Sequence, residues 1–353
     1  MFELTKKQSI TLESLRALSA FTVMIAHCYI IFLGGRYPEY YPFAAFFAQS
    51  SVMVFFVLSG FLIGLSVNNN LTRNSGNFDI GNYVSSRFYR IYPPLIFSLA
   101  LTSILSVLSI YVFNMPDGKP LSVWARMPGY SLNFIPSQYF STLTFSNYLL
   151  NQGVSSNGSL WSLPIEVWCY AVAGLLFVRN YWVKILAVCF FLILQYMHIK
   201  FRLFSVVWGM SFLMAFAMPT ITRFRHTVAV CLVASAAFAF IAKTFFIEFI
   251  TTKVGLYFNF YFGFSFLFLL LAALKANIGV NVLGSHARYS YSLYLIHFPV
   301  LVFTLAIMMR FGASNGHSDI LAFVITPAVC ILIACKSALI FENRKRIQEI
   351  FSP

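Results

Sequence analysis

Charge is scarce in this chain, and negative charge is the scarcest. Only 10% of the 353 residues are charged, with 10 Asp and Glu against 24 Lys and Arg. A soluble globular domain carries charge on roughly a quarter of its residues, so the composition excludes that class. The 59% of hydrophobic residues and the mean hydropathy of +0.79 predict a protein surrounded by lipid. The basic residues are scattered between apolar runs rather than clustered, which argues against nucleic-acid binding.

Common catalytic and metal-binding signatures are also missing. The sequence has no GxxxxGK[ST] phosphate loop, no HExxH, no GxSxG and no His-x4-Asp box. Its 6 cysteines lie in or beside apolar runs and none forms a CxxC pair, so we expect neither disulfides nor a metal site. Polar residues that interrupt apolar segments are therefore the candidates for function, because burying such residues in lipid is costly unless they have a role there.

Long apolar runs dominate what is present. A helix needs about 20 apolar residues to cross the hydrocarbon core of a bilayer. About ten runs qualify, at residues 15–34, 43–67, 93–113, 160–178, 181–198, 203–218, 227–250, 255–274, 289–309 and 320–341. The sequence therefore predicts an all-α, polytopic transmembrane helical bundle. We expect a single integral-membrane domain over residues 1–353, with no fused soluble domain.

Basic residues between these spans predict the orientation of the chain. With an even number of spans both termini share one side, and 13 basic residues fall there against 7 on the other. The 13 are Lys6, Lys7, Arg73, Arg87, Arg90, Arg179, Arg223, Arg225, Lys275, Arg288, Arg344, Lys345 and Arg346. The 7 are Arg36, Lys119, Arg126, Lys200, Arg202, Lys253 and Arg310. Both termini are thus predicted to be cytoplasmic, and the polar stretch 114–158 to face outward as a lid or a disordered connector.

The first span carries Arg16 and His27. Eleven steps of 100° place the two side chains within about 20° of one helix face, roughly 16 Å apart along the axis. Arg16 is expected at the cytoplasmic edge and His27 near mid-membrane, which suits a long ligand with an anionic head and a reactive tail. A hydrogen bond between helices is the alternative explanation of His27.

Arg87 and Arg90 lie three residues apart and share a helical face, so both guanidinium groups can address one phosphate cluster. Pro93 and Pro94 are predicted to end that helical turn before the next span. The alternative for the two arginines is an ordinary positively charged anchor on the cytoplasmic side.

Glu166 is the one acid well inside an apolar flank. Pro164 suits the first turn of a helix, which places Glu166 near a helix N-terminus, where the dipole favours the carboxylate. A catalytic base or a partner that orients a histidine would use this position. A structural hydrogen bond to a neighbouring helix is the alternative.

His297 is a second intramembrane histidine, with Tyr291 and Tyr294 before it and Pro299 after it. It is expected either to line the same cavity as His27 or to be a satisfied residue in a packed aromatic helix. Gly60 and Gly64 form a GxxxG motif, which indicates close helix packing and allows an oligomer.

Five segments in their order along the chain resemble the motifs of integral-membrane acyltransferase family 3. They are ESLRALSAFTVMIAHCY, FFVLSGFLIG, SRFYRIYPPL, SLWSLPIEVWCY and YSYSLYLIHFPV. The resemblance covers nearly the whole chain, from about residue 11 to residue 341. That family comprises bacterial membrane O-acyltransferases that modify cell-surface glycans. The chain departs from it where Val167 and Trp168 follow Glu166, and where Glu342 lies in a C-terminal segment without the usual proline.

The resemblance implies roles for matched residues. Arg16 and His27 match the Arg-x10-His motif, and Arg87 and Arg90 match Arg-x-x-Arg. The other matched positions are Trp161, Ser162 and Glu166 in the WS-x-x-x-E element and Tyr294 and His297 in the late Tyr-Ser-Leu-Tyr-Leu-x-His-Phe-Pro element. We expect His27 and Glu166 to be catalytic and Arg16, Arg87 and Arg90 to bind the cofactor. Trp161, Ser162, Tyr294 and His297 are expected to line the substrate cavity.

The implied reaction moves an acyl group, most simply acetyl, from cytoplasmic acyl-CoA to a saccharide hydroxyl on the far side of a bacterial inner membrane. The implied partners are acyl-CoA, a saccharide acceptor such as a polysaccharide or lipopolysaccharide, and the bilayer. A proton-coupled transporter of a small molecule or lipid-linked sugar is the alternative, with His27, Glu166 and His297 relaying protons. Inverted repeats would favour that alternative, and the sequence shows none.

Overall fold

The computed structural model describes residues 3–115, 131–150, 152–246, 255–312 and 316–351. Over these residues the chain forms α-helices with short 3-10 and π turns and no β-strand, as predicted. Continuous apolar runs fold this way because a helix satisfies its own backbone groups in lipid. The helices are α1 Lys6–Cys28, α2 Tyr41–Arg73, α3 Ile80–Val107, α4 Pro136–Leu143, α5 Asn147–Leu150, α6 Leu163–Leu175, α7 Tyr181–Met197, α8 Ile199–Ile221, α9 Thr227–Thr244, α10 Leu256–Lys275, α11 Ser290–Arg310, α12 Gly316–Phe341 and α13 Arg344–Phe351.

The chain is a multi-pass membrane protein by the length and apolar character of its helices. Within the described ranges, 8 helical segments are long and apolar enough to cross a bilayer. They are Lys6–Leu33, Pro38–Arg73, Ile80–Val112, Ile199–Ile221, Thr227–Thr244, Leu256–Lys275, Gly284–Arg310 and Gly316–Phe341. The predicted total of about ten spans and the cytoplasmic termini stay predictions.

Two predicted spans, 160–178 and 181–198, correspond to shorter helices. α6 has 13 residues and follows a 3-10 turn over Gly158–Ser162. α7 has 17 residues, and the Asn180 side chain caps it by accepting a hydrogen bond from Trp182 N at 2.9 Å. The short α6 matters for the site because it places Pro164 and Glu166 in its first turn, as predicted.

The α3 helix corrects one prediction. Pro93 and Pro94 do not end it, because the helix runs unbroken from Ile80 to Val107 with both prolines inside. Proline has a backbone φ compatible with a helix, although each of the two removes one N–H donor and crowds the carbonyl four residues before it. Such a loss is tolerated in membrane helices where neighbouring groups satisfy the freed carbonyls. Arg87 and Arg90 therefore lie on the same helix as the apolar segment that follows them.

The chain divides into two compact units, each drawn from three separate stretches. The first unit comprises Met1–Ser19, Gln49–Ser86 and Ile165–Ser285, and the second comprises Ala20–Ala48, Arg87–Pro164 and His286–Pro353. Because the stretches alternate along the chain, these units are not consecutive domains.

In the first unit, α2 and α8 pack closely at the GxxxG motif. A Cβ atom added at Gly60 would meet the carbonyl oxygen of Trp208 in α8, and one added at Gly64 would lie 2.5 Å from the carbonyl oxygen of Phe212. Ser211 Oγ donates a hydrogen bond to the Val57 carbonyl across the same contact, at 2.6 Å. The motif thus serves packing within the chain, and an oligomer stays a prediction.

In the second unit, α11 is the most buried helix. Of its 21 residues, 15 have buried side chains. The predicted outward-facing stretch 114–158 is described only in part, since residues 116–130 and 151 lie outside the described ranges. Its described part contains α4 and α5.

Candidate active site

The backbone of α11 is opened at one carbonyl by a proline. Pro299 has no N–H group, so the carbonyl of Leu295, four residues earlier, lacks its helical donor. Ser98 Oγ donates to this oxygen at 2.7 Å and Asn157 Nδ2 donates to it at 3.0 Å. Asn157 also donates to Ser98 Oγ and Thr102 Oγ1, each at 3.2 Å. A buried carbonyl is thereby satisfied, and α3 and the segment before α6 are fixed against the helix that carries His297.

His27 and His297 meet within the second unit. Nδ1 of His27 lies 2.9 Å from Nε2 of His297, and the two rings stack with 5.2 Å between centroids and 13° between planes. His297 is fully buried, whereas His27 keeps part of its surface exposed. Phe298 packs edge-on against the His27 ring at 5.6 Å. Of the two rings, His27 is therefore the one with exposed surface.

The hydrogen bonds define which nitrogen of His27 can act as a base. His297 Nδ1 lies 3.1 Å from the carbonyl oxygen of Leu293, which can only accept, so this nitrogen carries the proton. Nε2 of the neutral His297 ring is then an acceptor, and His27 Nδ1 is the donor in the contact between the rings. This arrangement leaves Nε2 of His27 with its lone pair.

Tyr294 and Ser162 lie beside the histidine pair. Their hydroxyl oxygens are 2.8 Å apart, and both side chains are buried. The Tyr294 ring lies 6.0 Å from the His297 ring. Trp161, next to Ser162, is partly buried and accepts a hydrogen bond from the Tyr148 hydroxyl through its backbone carbonyl at 3.4 Å. The structure therefore brings four of the predicted residues into one unit with His27, which are Trp161, Ser162, Tyr294 and His297.

Glu166 belongs to the first unit, where it ends a chain of hydrogen bonds. The Tyr170 hydroxyl donates to Glu166 Oε1 through a short contact within α6 and lies 2.8 Å from Ser59 Oγ. Trp208 Nε1 donates to the same Ser59 oxygen at 3.2 Å. Glu166 is partly buried. The predicted pairing of Glu166 with His27 stays a prediction.

The three predicted phosphate-binding arginines divide between the units. Arg16 is partly buried and lies on α1 with His27, but in the stretch of that helix assigned to the first unit. Arg87 is partly buried and Arg90 exposed, and both lie on α3 in the second unit. Between them, the Tyr89 ring lies beneath the guanidinium of Arg344, with 5.2 Å from Cζ to the ring centroid.

Glu342 supports the start of α11. Its Oε1 accepts hydrogen bonds from Ser292 N at 2.9 Å and from Ser292 Oγ at 2.6 Å. The first N–H groups of a helix have no partner within the helix, so this carboxylate caps the helix that carries His297. Among the described residues no group of three His, Cys, Asp or Glu side chains is arranged to hold a metal ion.

The sequence profile described as an acyltransferase domain matches residues 10–340. The chain belongs to acyltransferase family 3. It is also 28% identical over 178 residues to a protein of Shigella phage Sf6 named O-acetyl transferase. That match covers 46% of this chain and 44% of the phage protein, so the chain spans less than half of the relative's length in it. No solved structure matches the chain.

Membership of acyltransferase family 3 favours acyl transfer over the transporter that the sequence also allowed. Three residues were not predicted from the sequence as part of the site. They are Asn157, Ser98 and Thr102, which hold α11 beside His297. The His-x-Pro spacing was the available signal, because Pro299 leaves a carbonyl open at position 295.

Proposed function

We propose that this protein is a membrane O-acyltransferase that moves an acyl group, most simply acetyl, from acyl-CoA to a hydroxyl of a saccharide. The observation that carries the proposal is the contact between His27 Nδ1 and His297 Nε2 at 2.9 Å, in a chain of acyltransferase family 3. The name of the phage relative supports acetyl as the group transferred. The apolar helices support a membrane location, and a bacterial inner membrane is part of the proposal.

His27 is the proposed general base. Its Nε2 takes the proton from the acceptor hydroxyl while the hydroxyl oxygen attacks the thioester carbonyl carbon. A C–O bond forms, the C–S bond breaks, and the proton is passed to the departing CoA sulfur. The group that leaves is CoA-SH, and the product is the saccharide ester. Base catalysis of this kind contributes about 10²–10⁴-fold to the rate.

His297 is proposed as a positioning residue. It is fully buried and contacts His27. By accepting from His27 Nδ1 it fixes the tautomer and the direction of the catalytic ring, the role that a carboxylate has in hydrolase triads. Ser162 and Tyr294 are proposed to line the substrate cavity beside this pair, and Trp161 is proposed to meet the saccharide.

Arg16, Arg87 and Arg90 are proposed to bind the phosphates of acyl-CoA. Arginine is suited to this role because its planar guanidinium pairs bidentately with phosphate oxygens. Arg87 and Arg90 share one face of α3, which supports a joint role. Glu166 is proposed to stabilise the imidazolium of His27 during transfer, with Tyr170 holding one of its oxygens.

The test is acyl transfer by purified protein in lipid vesicles, with labelled acetyl-CoA and a membrane glycan extract. We expect His27→Ala to lower kcat by about 10²–10⁴-fold and to leave the KM for acetyl-CoA nearly unchanged. His226→Ala is the matched control, because His226 is exposed at the start of α9 and lies in the first unit. Unchanged transfer by His27→Ala would exclude His27 as the base.

A further inference from the structure

A cavity of about 530 Å³ lies where the turn before α11, the end of α12 and the start of α13 meet in the second unit. Among the described residues that line it are three cations, Arg288, Lys336 and Arg344, and one carboxylate, Glu342. Three positive charges less one negative charge leave a net charge of +2. We call this cavity the basic pocket.

The cations of the basic pocket are accessible, and its carboxylate is engaged. Arg288, Lys336 and Arg344 are exposed, so a soluble anion or a lipid headgroup can reach all three. Glu342 directs Oε1 to Ser292, from which it accepts two hydrogen bonds. The position of Lys336 is unusual, since it lies inside the apolar helix α12, where an ammonium is costly unless it reaches water or an anion.

The basic pocket adjoins the Arg-x-x-Arg motif. The Arg344 guanidinium lies 5.2 Å from the centroid of the Tyr89 ring, and Tyr89 lies between Arg87 and Arg90 on α3. A cation held over an aromatic ring keeps a defined position. At the same end of α12, the Phe341 ring stacks on Phe97 of α3 with 4.8 Å between centroids. The basic pocket therefore lies beside the segment of α3 that carries Arg87 and Arg90.

We propose that the basic pocket binds a phosphate ester, the group that both the nucleotide end of acyl-CoA and the headgroup of an anionic phospholipid carry. Its volume is within the range of about 300–1,000 Å³ that is usual for small-molecule sites. Guanidinium and ammonium groups from three segments surround it, which is the chemistry that recognises phosphate oxygens. Tyr289, Ala338 and Leu339 supply an apolar wall for the organic part of the ligand. The choice of CoA as the first probe rests on the proposed function. The prediction that the pocket binds a phosphate group rests only on its basic side chains.

The test measures two ligands with the same full-length proteins. Wild type, Arg288→Gln, Lys336→Gln and Arg344→Gln are placed in nanodiscs of phosphatidylcholine, and the Kd for CoA is measured by titration. In a second arm, retention of phosphatidylglycerol from mixed lipid is measured by native mass spectrometry. Arg346→Gln is the matched control, because Arg346 is an exposed cation of α13 that does not line the cavity. Thermal unfolding of each variant verifies that it is folded.

If CoA supplies the phosphate, each pocket substitution should raise the Kd for CoA by about 5- to 30-fold, as the loss of a charge-assisted hydrogen bond implies. If a phospholipid supplies it, the Kd for CoA stays as in wild type and retention of phosphatidylglycerol is lost. Pocket variants that match Arg346→Gln in both arms would overturn the proposal. A wild-type protein that binds no CoA would instead refute the acyl-CoA donor, so failures of the two proposals are distinguishable.

Discussion

The contact between His27 and His297 can be tested by changing His297 alone. The substitutions are His297→Gln, whose side-chain oxygen can still accept from His27 Nδ1, and His297→Met, which has similar length but offers only a weak acceptor. Both replace a fully buried side chain, so they differ chiefly in the hydrogen bond. If His297 positions the base, the Gln variant should keep more activity than the Met variant.

The magnitude follows from the burial of the contact. Leaving a buried donor without its partner costs about 1–3 kcal/mol. If the whole of this cost is added to the activation free energy, because His27 must stay correctly oriented in the transition state, kcat falls by about 5- to 150-fold. The effect is smaller than the loss expected for His27→Ala, because the base itself is still present. The KM for acyl-CoA should change little, since His297 is buried behind His27 and has no exposed surface.

The assay is acyl transfer in vesicles at saturating and limiting labelled acetyl-CoA, so that kcat and KM are separated. The amount of folded protein is measured in parallel, since a purely structural role would lower both variants' yield and leave kcat per folded molecule unchanged. Equal kcat for His297→Gln and His297→Met would refute the positioning role. So would an unchanged kcat for His297→Met.

Three further predictions concern stability and are measured by thermal unfolding in detergent. Gly60→Ala should destabilise the protein by about 1–3 kcal/mol, because the added Cβ would meet a backbone carbonyl. Gly209→Ala is the control and should be neutral or slightly stabilising, because an added Cβ there meets no atom within 4 Å. Equal effects of the two substitutions would contradict the close packing at Gly60. Asn157→Leu should lower the free energy of unfolding by about 1–3 kcal/mol. The loss should be smaller in a Pro299→Ala background, because the restored N–H can bond the Leu295 carbonyl. An equal loss in that background would show that Asn157 has another role. Glu342→Ala should lose about 0.5–2 kcal/mol through the lost helix cap, and Glu342→Gln, which keeps an accepting oxygen, should lose less.

The sequence predicted the class of fold well because lipid imposes one local rule. Each long apolar run had to be a helix, and the described residues contain no strand. Span boundaries were harder, because proline is compatible with a helix backbone. Pro93 and Pro94 were expected to end a turn, yet α3 passes through both. The predicted span 160–178 corresponds to a 3-10 turn over Gly158–Ser162 and a short helix over Leu163–Leu175.

The candidate site was predictable as a set of residues but not as a set of contacts. The motifs singled out His27 and His297, and periodicity along one helix cannot show that residues 270 positions apart lie 2.9 Å from each other. Likewise, nothing local marks Asn157 as a partner of α11. Its role follows only when the open carbonyl at Leu295 and the side chain are seen together.

A histidine as the orienting partner suits an intramembrane base better than a carboxylate would. A buried carboxylate needs a paired cation or several donors to offset its desolvation, whereas neutral His297 needs only the Leu293 carbonyl and the His27 N–H. A neutral partner fixes the direction of the base, and stabilisation of the imidazolium is the role proposed for Glu166. In the proposed reaction that charge need not be stabilised by His297, because the imidazolium of His27 forms together with the oxyanion of the thioester adduct. The two opposite charges arise side by side, and the reacting groups stay neutral as a whole throughout the transfer.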